Sequence, residues 1–80
     1  MKDVQNYMQS SKDWKIISRV SDVAELSQTE HVNIYLVYVQ DGNGNNIAAE
    51  EAYGENHRTE VTKILLEKYG TYIDKVEHEE

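Results

Sequence analysis

The 80-residue sequence contains no cysteine and no proline. Without cysteine there can be neither a disulfide bond nor a thiolate metal site. Because small extracellular domains usually depend on disulfides, their absence favours a cytoplasmic location. Without proline, the breaks between helices and strands must come from glycine, asparagine, aspartate and serine.

Long apolar segments are also missing. Residues 1–13 lack the apolar core of a signal peptide. No run approaches the roughly 18 apolar residues that a transmembrane helix needs. We therefore expect one small domain over residues 1–80 without a membrane partner, and a frayed tail at residues 77–80.

Phenylalanine is absent as well, whereas there are six tyrosines and one tryptophan. Every aromatic side chain therefore carries a polar group, which suits positions with one end buried and the other in water. Binding surfaces favour such residues. A thin core whose large side chains all reach the surface gives the same composition, so both interpretations stay open.

Positive charge is scarce in this chain, and negative charge is concentrated in its second half. The net charge is −7. Residues 1–40 carry five acidic and four basic side chains, whereas residues 41–80 carry ten acidic and four basic ones. A negative field repels nucleic-acid phosphates and anionic membranes, so we expect neither as a partner. It suits a basic protein surface, or it serves only to keep the domain soluble.

The clearest structural signal is a β-hairpin between residues 32 and 53. Residues 32–40 are rich in valine, isoleucine, leucine and tyrosine, and both of their alternating faces are apolar. The turn Asp41-Gly42-Asn43-Gly44-Asn45 follows, and residues 46–53 form a thinner second strand. The pattern indicates that residues 32–40 form the central strand of a sheet.

The flanking segments carry the remaining elements. Residues 3–11 have the spacing of a short helix, and residues 57–69 that of a longer one between Asn56 and Gly70. The apolar stripe of the longer helix consists of Val61, Ile64, Leu65 and Tyr69. Residues 14–26 fit a helix or a strand, and their β-branched side chains favour the strand.

We therefore predict an α+β two-layer sandwich with α-β-β-β-α order. Its three-stranded antiparallel meander comprises residues 14–26, 32–40 and 46–53, between a short N-terminal helix and the helix at 57–69. This order resembles the double-stranded RNA-binding domain over most of the chain. In that family a lysine-rich start of the last helix grips phosphates, and the matching positions 56–60 here read NHRTE. The resemblance implies nucleic-acid binding as an alternative function.

Motifs for metal or catalytic chemistry are weak. Asp41, Asn43 and Asn45 have the 1-3-5 oxygen spacing of an EF-hand loop, but its twelfth position would be Ala52 rather than glutamate. The three histidines lie in separate segments, and Glu50 and Glu51 would point to opposite faces of a strand. We therefore expect no metal, no cofactor, no catalytic residue and no enzymatic activity.

Two binding surfaces follow from the predicted elements. Tyr35, Val37 and Tyr53 would form a partner-binding face on the open side of the sheet. Asn56, His57 and Arg58 would form an anion site at the start of the last helix. The sequence thus favours a small, non-catalytic, cytoplasmic module that binds a protein partner, a basic surface or a second copy of itself.

Overall fold

A computed structural model describes residues 12–79. The elements are β1 (Trp14–Glu25), β2 (His31–Gln40), β3 (Asn46–Tyr53), α1 (Glu55–Tyr69) and β4 (Ile73–Glu79). The four strands form one mixed sheet in the order β3-β2-β1-β4, with the helix against it. Strands β1 and β2 are antiparallel, as are β2 and β3, whereas β4 runs parallel to β1.

The predicted α-β-β-β-α order is wrong. The three predicted strand positions agree with β1, β2 and β3, but the described chain has the order β-β-β-α-β. After α1 the chain returns to the sheet and adds β4 beside β1, so the sheet has four strands instead of three. Residues 77–79, predicted as a frayed tail, lie in β4. The helix predicted at residues 3–11 lies outside the described residues.

The resemblance to the double-stranded RNA-binding domain depended on the α-β-β-β-α order and is therefore not supported. Strand β4 gives little local signal because Ile73 and Val76 are its two apolar residues among charged ones. Charged side chains are typical of a strand at the edge of a sheet, where they discourage pairing with other chains. The pairing that defines β4 joins it to β1, about 60 residues earlier in the chain, as between Ser18 and His78.

Strand β1 is interrupted by a bulge at Ser21. The register with β2 shifts between Val20 and Asp22, which leaves Ser21 as the extra residue. The Ser21 hydroxyl donates a hydrogen bond to the Ile34 carbonyl oxygen at 3.1 Å. Because a bulge reverses the alternation of side chains, Ala24 does not share a face with Ile16, although both have even numbers.

Helix α1 begins two residues earlier than predicted. Gly54 is its N-cap residue, with a φ of 86°, so Asn56 lies inside the first turn and is not the cap. The buried positions are Val61, Thr62 and Leu65. Ile64, which the predicted apolar stripe included, is 59% exposed.

The core lies between α1 and one face of the sheet. Val61 and Leu65 of α1 pack on that face, with Trp14, Val20, Ala48 and Tyr69 around its margin. The sheet contributes Ile16, Tyr35, Val37, Val39, Ala52 and Ile73. No helix among residues 12–79 is long and apolar enough to cross a membrane.

Candidate functional site

The predicted partner-binding residues do not share one surface. Tyr35 and Val37 are 1% and 0% exposed, and both pack in the core beneath α1. Tyr53 is 55% exposed and is paired with Ile34, whose side chain lies on the other face of the sheet. Of the three residues, Tyr53 is therefore the one available to a partner.

The three residues of the predicted anion site lie together at the start of α1, but two of their side chains contact other parts of the fold. The His57 Nδ1 atom accepts a hydrogen bond from the Tyr53 backbone N–H at 3.0 Å, and the two rings are stacked. The Arg58 guanidinium lies over the Tyr35 ring, 4.4 Å from its centroid. Both side chains therefore attach α1 to the sheet. Asn56 and His57 are exposed, and Arg58 is partly buried.

In the turn at residues 41–45, the Asp41 carboxylate is hydrogen-bonded to other residues of the turn. One Asp41 oxygen accepts the backbone N–H groups of Asn43 and Asn45, each at 2.9 Å, and the other accepts the Asn45 side-chain amide. The Asn45 backbone hydrogen bond is the largest of the effects that hold the pKa of Asp41 below its usual value. These bonds close the turn, and no metal-ligating cluster is found among residues 12–79.

The structure contains one contact between a potential nucleophile and a potential base that the sequence did not predict. The hydroxyl of Ser18 is hydrogen-bonded to the His78 Nδ1 atom across the parallel β1–β4 pair. Ser18 is 0% exposed, so its hydroxyl is closed to a substrate, and the bond serves to hold β4 on β1. Since 60 residues separate the two positions, no motif spacing could have indicated the contact.

A shallow depression of about 320 Å³ lies on the outer side of α1. It is lined by Glu60, Lys63, Ile64 and Glu67, which follow one another at helical spacing. Among the described residues its lining comes from this single helix. Ligand pockets normally enclose most of a ligand between several elements, so this depression is a surface feature.

The sheet has a second, largely apolar face that no element between residues 12 and 79 covers. We call it the open face. Its rows follow from the strand register, because directly paired residues point to the same side. Its side chains include Ile17, Arg19 and Asp22 of β1, Ile34, Leu36 and Tyr38 of β2, Ala49, Glu51 and Tyr53 of β3, and Glu77 and Glu79 of β4.

The apolar centre of the open face lies on β2. Ile34, Leu36 and Tyr38 are partly buried by their neighbours, and Ile17 beside Tyr38 is 5% exposed. Tyr53 extends this surface along β3. Apolar side chains on three neighbouring strands thus adjoin one another on this face.

Charged groups border this apolar centre on both sides. Arg19 of β1 lies over the Tyr38 ring at 5.9 Å from its centroid, and Glu51 of β3 accepts a hydrogen bond from the Tyr53 hydroxyl at 3.5 Å. Farther out, the Lys15 ammonium is 3.9 Å from the Glu77 carboxylate. An apolar centre with a charged rim is the usual anatomy of a protein–protein interface.

Comparison of the chain with protein-family models, with curated proteins and with solved structures gives no match.

Proposed function

We propose that this protein is a small, non-catalytic, cytoplasmic protein-interaction module that binds its partner through the open face. The observation that carries the proposal is the apolar centre formed by Ile34, Leu36 and Tyr38 on a sheet face that α1 does not cover. Burial of such a surface against a partner releases water from apolar side chains and favours association.

The chemistry of the surface supports a protein as the partner. Tyr38 and Tyr53 present large rigid rings with hydroxyl groups, and such side chains are enriched at the centres of interfaces. Arg19 on one side of Leu36 and Glu51 on the other provide charges of both signs. A surface of mixed charge suits a protein partner better than the uniformly negative backbone of a nucleic acid.

The overall charge of −7 adds a preference for basic regions in that partner. Opposite charge accelerates encounter and has a smaller effect on the lifetime of the complex. The non-catalytic part of the proposal is supported by the burial of Ser18, which keeps its pairing with His78 away from substrates.

The proposal can be tested by affinity capture from a nuclease-treated lysate with three forms of the tagged protein. Leu36→Asp places a charge at the centre of the open face. Ile64→Asp is the matched control, because Ile64 is exposed on the outer side of α1, away from the sheet. Thermal unfolding of each form establishes that all three are folded before capture.

We expect the wild type and Ile64→Asp to retain the same protein, and Leu36→Asp to lose it. A second copy of this chain counts as such a protein. Retention of the same proteins by all three forms would show that the open face is not the binding surface. An empty capture with the wild type would overturn the proposal as a whole.

A further inference from the structure

The middle row of the open face carries opposite charges on its two sides. Arg19 of β1 is paired with Leu36 of β2, and Leu36 is paired with Glu51 of β3. Since neighbouring strands are about 4.8 Å apart, the charged positions flank Leu36 at about equal distances on either side. Both side chains are exposed. Glu79 of β4, which is paired with Arg19, lies one strand farther out. Across β1, β2 and β3 the row is therefore complementary to itself.

With the strands of the two copies aligned, a two-fold axis that passes through Leu36 can run in two directions. An axis that runs across the strands places Arg19 opposite Arg19 and Glu51 opposite Glu51 in the second copy. An axis that runs along β2 places Arg19 opposite Glu51 of the second copy, twice. Like charges held opposite each other in an interface strongly disfavour association, so the charges select the axis along β2.

The same axis brings matching side chains together in the adjacent rows. Each of the three β2 residues faces its own equivalent in the second copy, because the axis runs along β2. These residues are Ile34, Leu36 and Tyr38. Ile17 meets Ala49 of the second copy, so a large side chain faces a small one. The mean strand directions are aligned, which is one of the two common arrangements of packed sheets.

We propose that the partner of the open face is a second copy of this chain, in a two-fold dimer with Arg19 of each copy against Glu51 of the other. The proposal rests on the proposed function and names the partner of that surface. Strand β4 stays outside the interface, since the axis along β2 leaves it beyond the edge of the second copy.

The size of the surface indicates a dimer that dissociates on dilution. Three strands about 4.8 Å apart and three rows about 6.7 Å apart cover about 14 Å by 20 Å, on the order of 300 Å² per copy. A total on the order of 600 Å² is smaller than a standard interface and matches a weak, transient complex. Two copies of charge −7 also repel each other, and salt at about 0.15 M screens that repulsion beyond about 8 Å.

The test is sedimentation equilibrium of the full chain from about 10 μM to about 1 mM, the range in which a transient dimer forms and dissociates. The variants are Arg19→Glu, Glu51→Arg and an equimolar mixture of the two. Glu50→Arg is the matched control, because it makes the same charge change on the same strand but on the opposite face.

We expect the wild type to dimerise reversibly and each single variant to dimerise at least about tenfold more weakly. The mixture should recover dimers, because one variant then presents two glutamates to the two arginines of the other. Glu50→Arg should behave as the wild type. A failure to fold cannot imitate this pattern, since misfolded variants do not restore each other.

A wild type that stays monomeric at 1 mM, or a mixture that does not recover, would overturn the dimer. These results leave the proposed function standing if a different protein is captured through Leu36. Loss of all capture together with a monomeric wild type would overturn both.

Discussion

The guanidinium of Arg58 lies over the ring of Tyr35, 4.4 Å from its centroid, and joins the first turns of α1 to the central strand. Tyr35 is 1% exposed, and its hydroxyl accepts a hydrogen bond from the Asn33 side chain at 3.4 Å. A cation over an aromatic face contributes more when water is excluded from the pair. The contact therefore stabilises the helix–sheet interface.

We expect Arg58→Met to lower the free energy of unfolding by about 1–2 kcal/mol, because it keeps an apolar stem and removes the cation. Arg58→Lys should lose part of this stability, since an ammonium does not stack as a planar guanidinium does. The control is Arg19→Met, which removes a more distant contact to Tyr38, at 5.9 Å. Urea denaturation at low protein concentration measures all three, and equal effects for Arg58→Met and Arg19→Met would contradict the argument.

Substitutions at two glycines with positive φ angles can distinguish the cost of backbone strain from the cost of a steric clash. Gly44 and Gly54 have φ angles of 88° and 86°. A Cβ atom at Gly44 would meet open space, whereas one at Gly54 would lie 3.2 Å from a methyl group of Val32. We expect Gly44→Ala to cost about 1–2 kcal/mol from the left-handed backbone alone.

Gly54→Ala should cost more than Gly44→Ala, because the added methyl group also displaces Val32 and disturbs the N-cap of α1. Chemical denaturation of the two variants side by side gives the difference. Equal losses of stability would show that Val32 moves aside freely.

Local sequence patterns predicted the strands but not their assembly. The alternation of β2 and the turn at residues 41–45 fix a hairpin through contacts close in sequence, and the structure has it. Strand β4 has weak periodicity, and its place beside β1 depends on contacts that span most of the described chain. Such long-range pairing leaves no local pattern.

Local sequence patterns were also insufficient to predict the candidate binding surface. Both faces of β2 are apolar, so alternation alone could not tell which face α1 covers. The structure places Tyr35 and Val37 under the helix and Leu36 on the open face. The sequence therefore predicted a binding face on the sheet but chose two residues from its covered side.

The contribution of β4 can be measured with a matched pair of truncations. Ile73 is 8% exposed and belongs to the core, whereas Val76 on the same strand is 37% exposed. We expect Ile73→Ala to lower the free energy of unfolding by about 2–4 kcal/mol, because it leaves a cavity in the core. Val76→Ala should cost less than about 1 kcal/mol. Similar small losses in both variants would show that β4 is only loosely attached.

The hydrogen bonds of Asp41 make the stability of the hairpin turn depend on pH. The backbone N–H of Asn45 is the largest cause of the lowered pKa of Asp41, which in the unfolded chain lies near 3.8. Above that value both states are ionised, and the stabilisation is fully present. As the pH falls, the unfolded state takes up its proton first, so the stabilisation decreases and is lost once the pH passes the folded pKa.

Asp41→Asn should therefore be less stable than the wild type at neutral pH, and the difference should shrink as the pH falls below about 3.8. The asparagine oxygen still accepts N–H bonds but carries no charge to titrate. Asp22→Asn is the control, because it removes the same charge at a position outside the turn. The Asp22 carboxylate accepts a single backbone N–H, from Val23 at 2.8 Å. Urea denaturation across the acid range measures the three proteins. A gap between Asp41→Asn and the wild type that stays constant with pH would show that the turn depends on hydrogen bonding without ionisation.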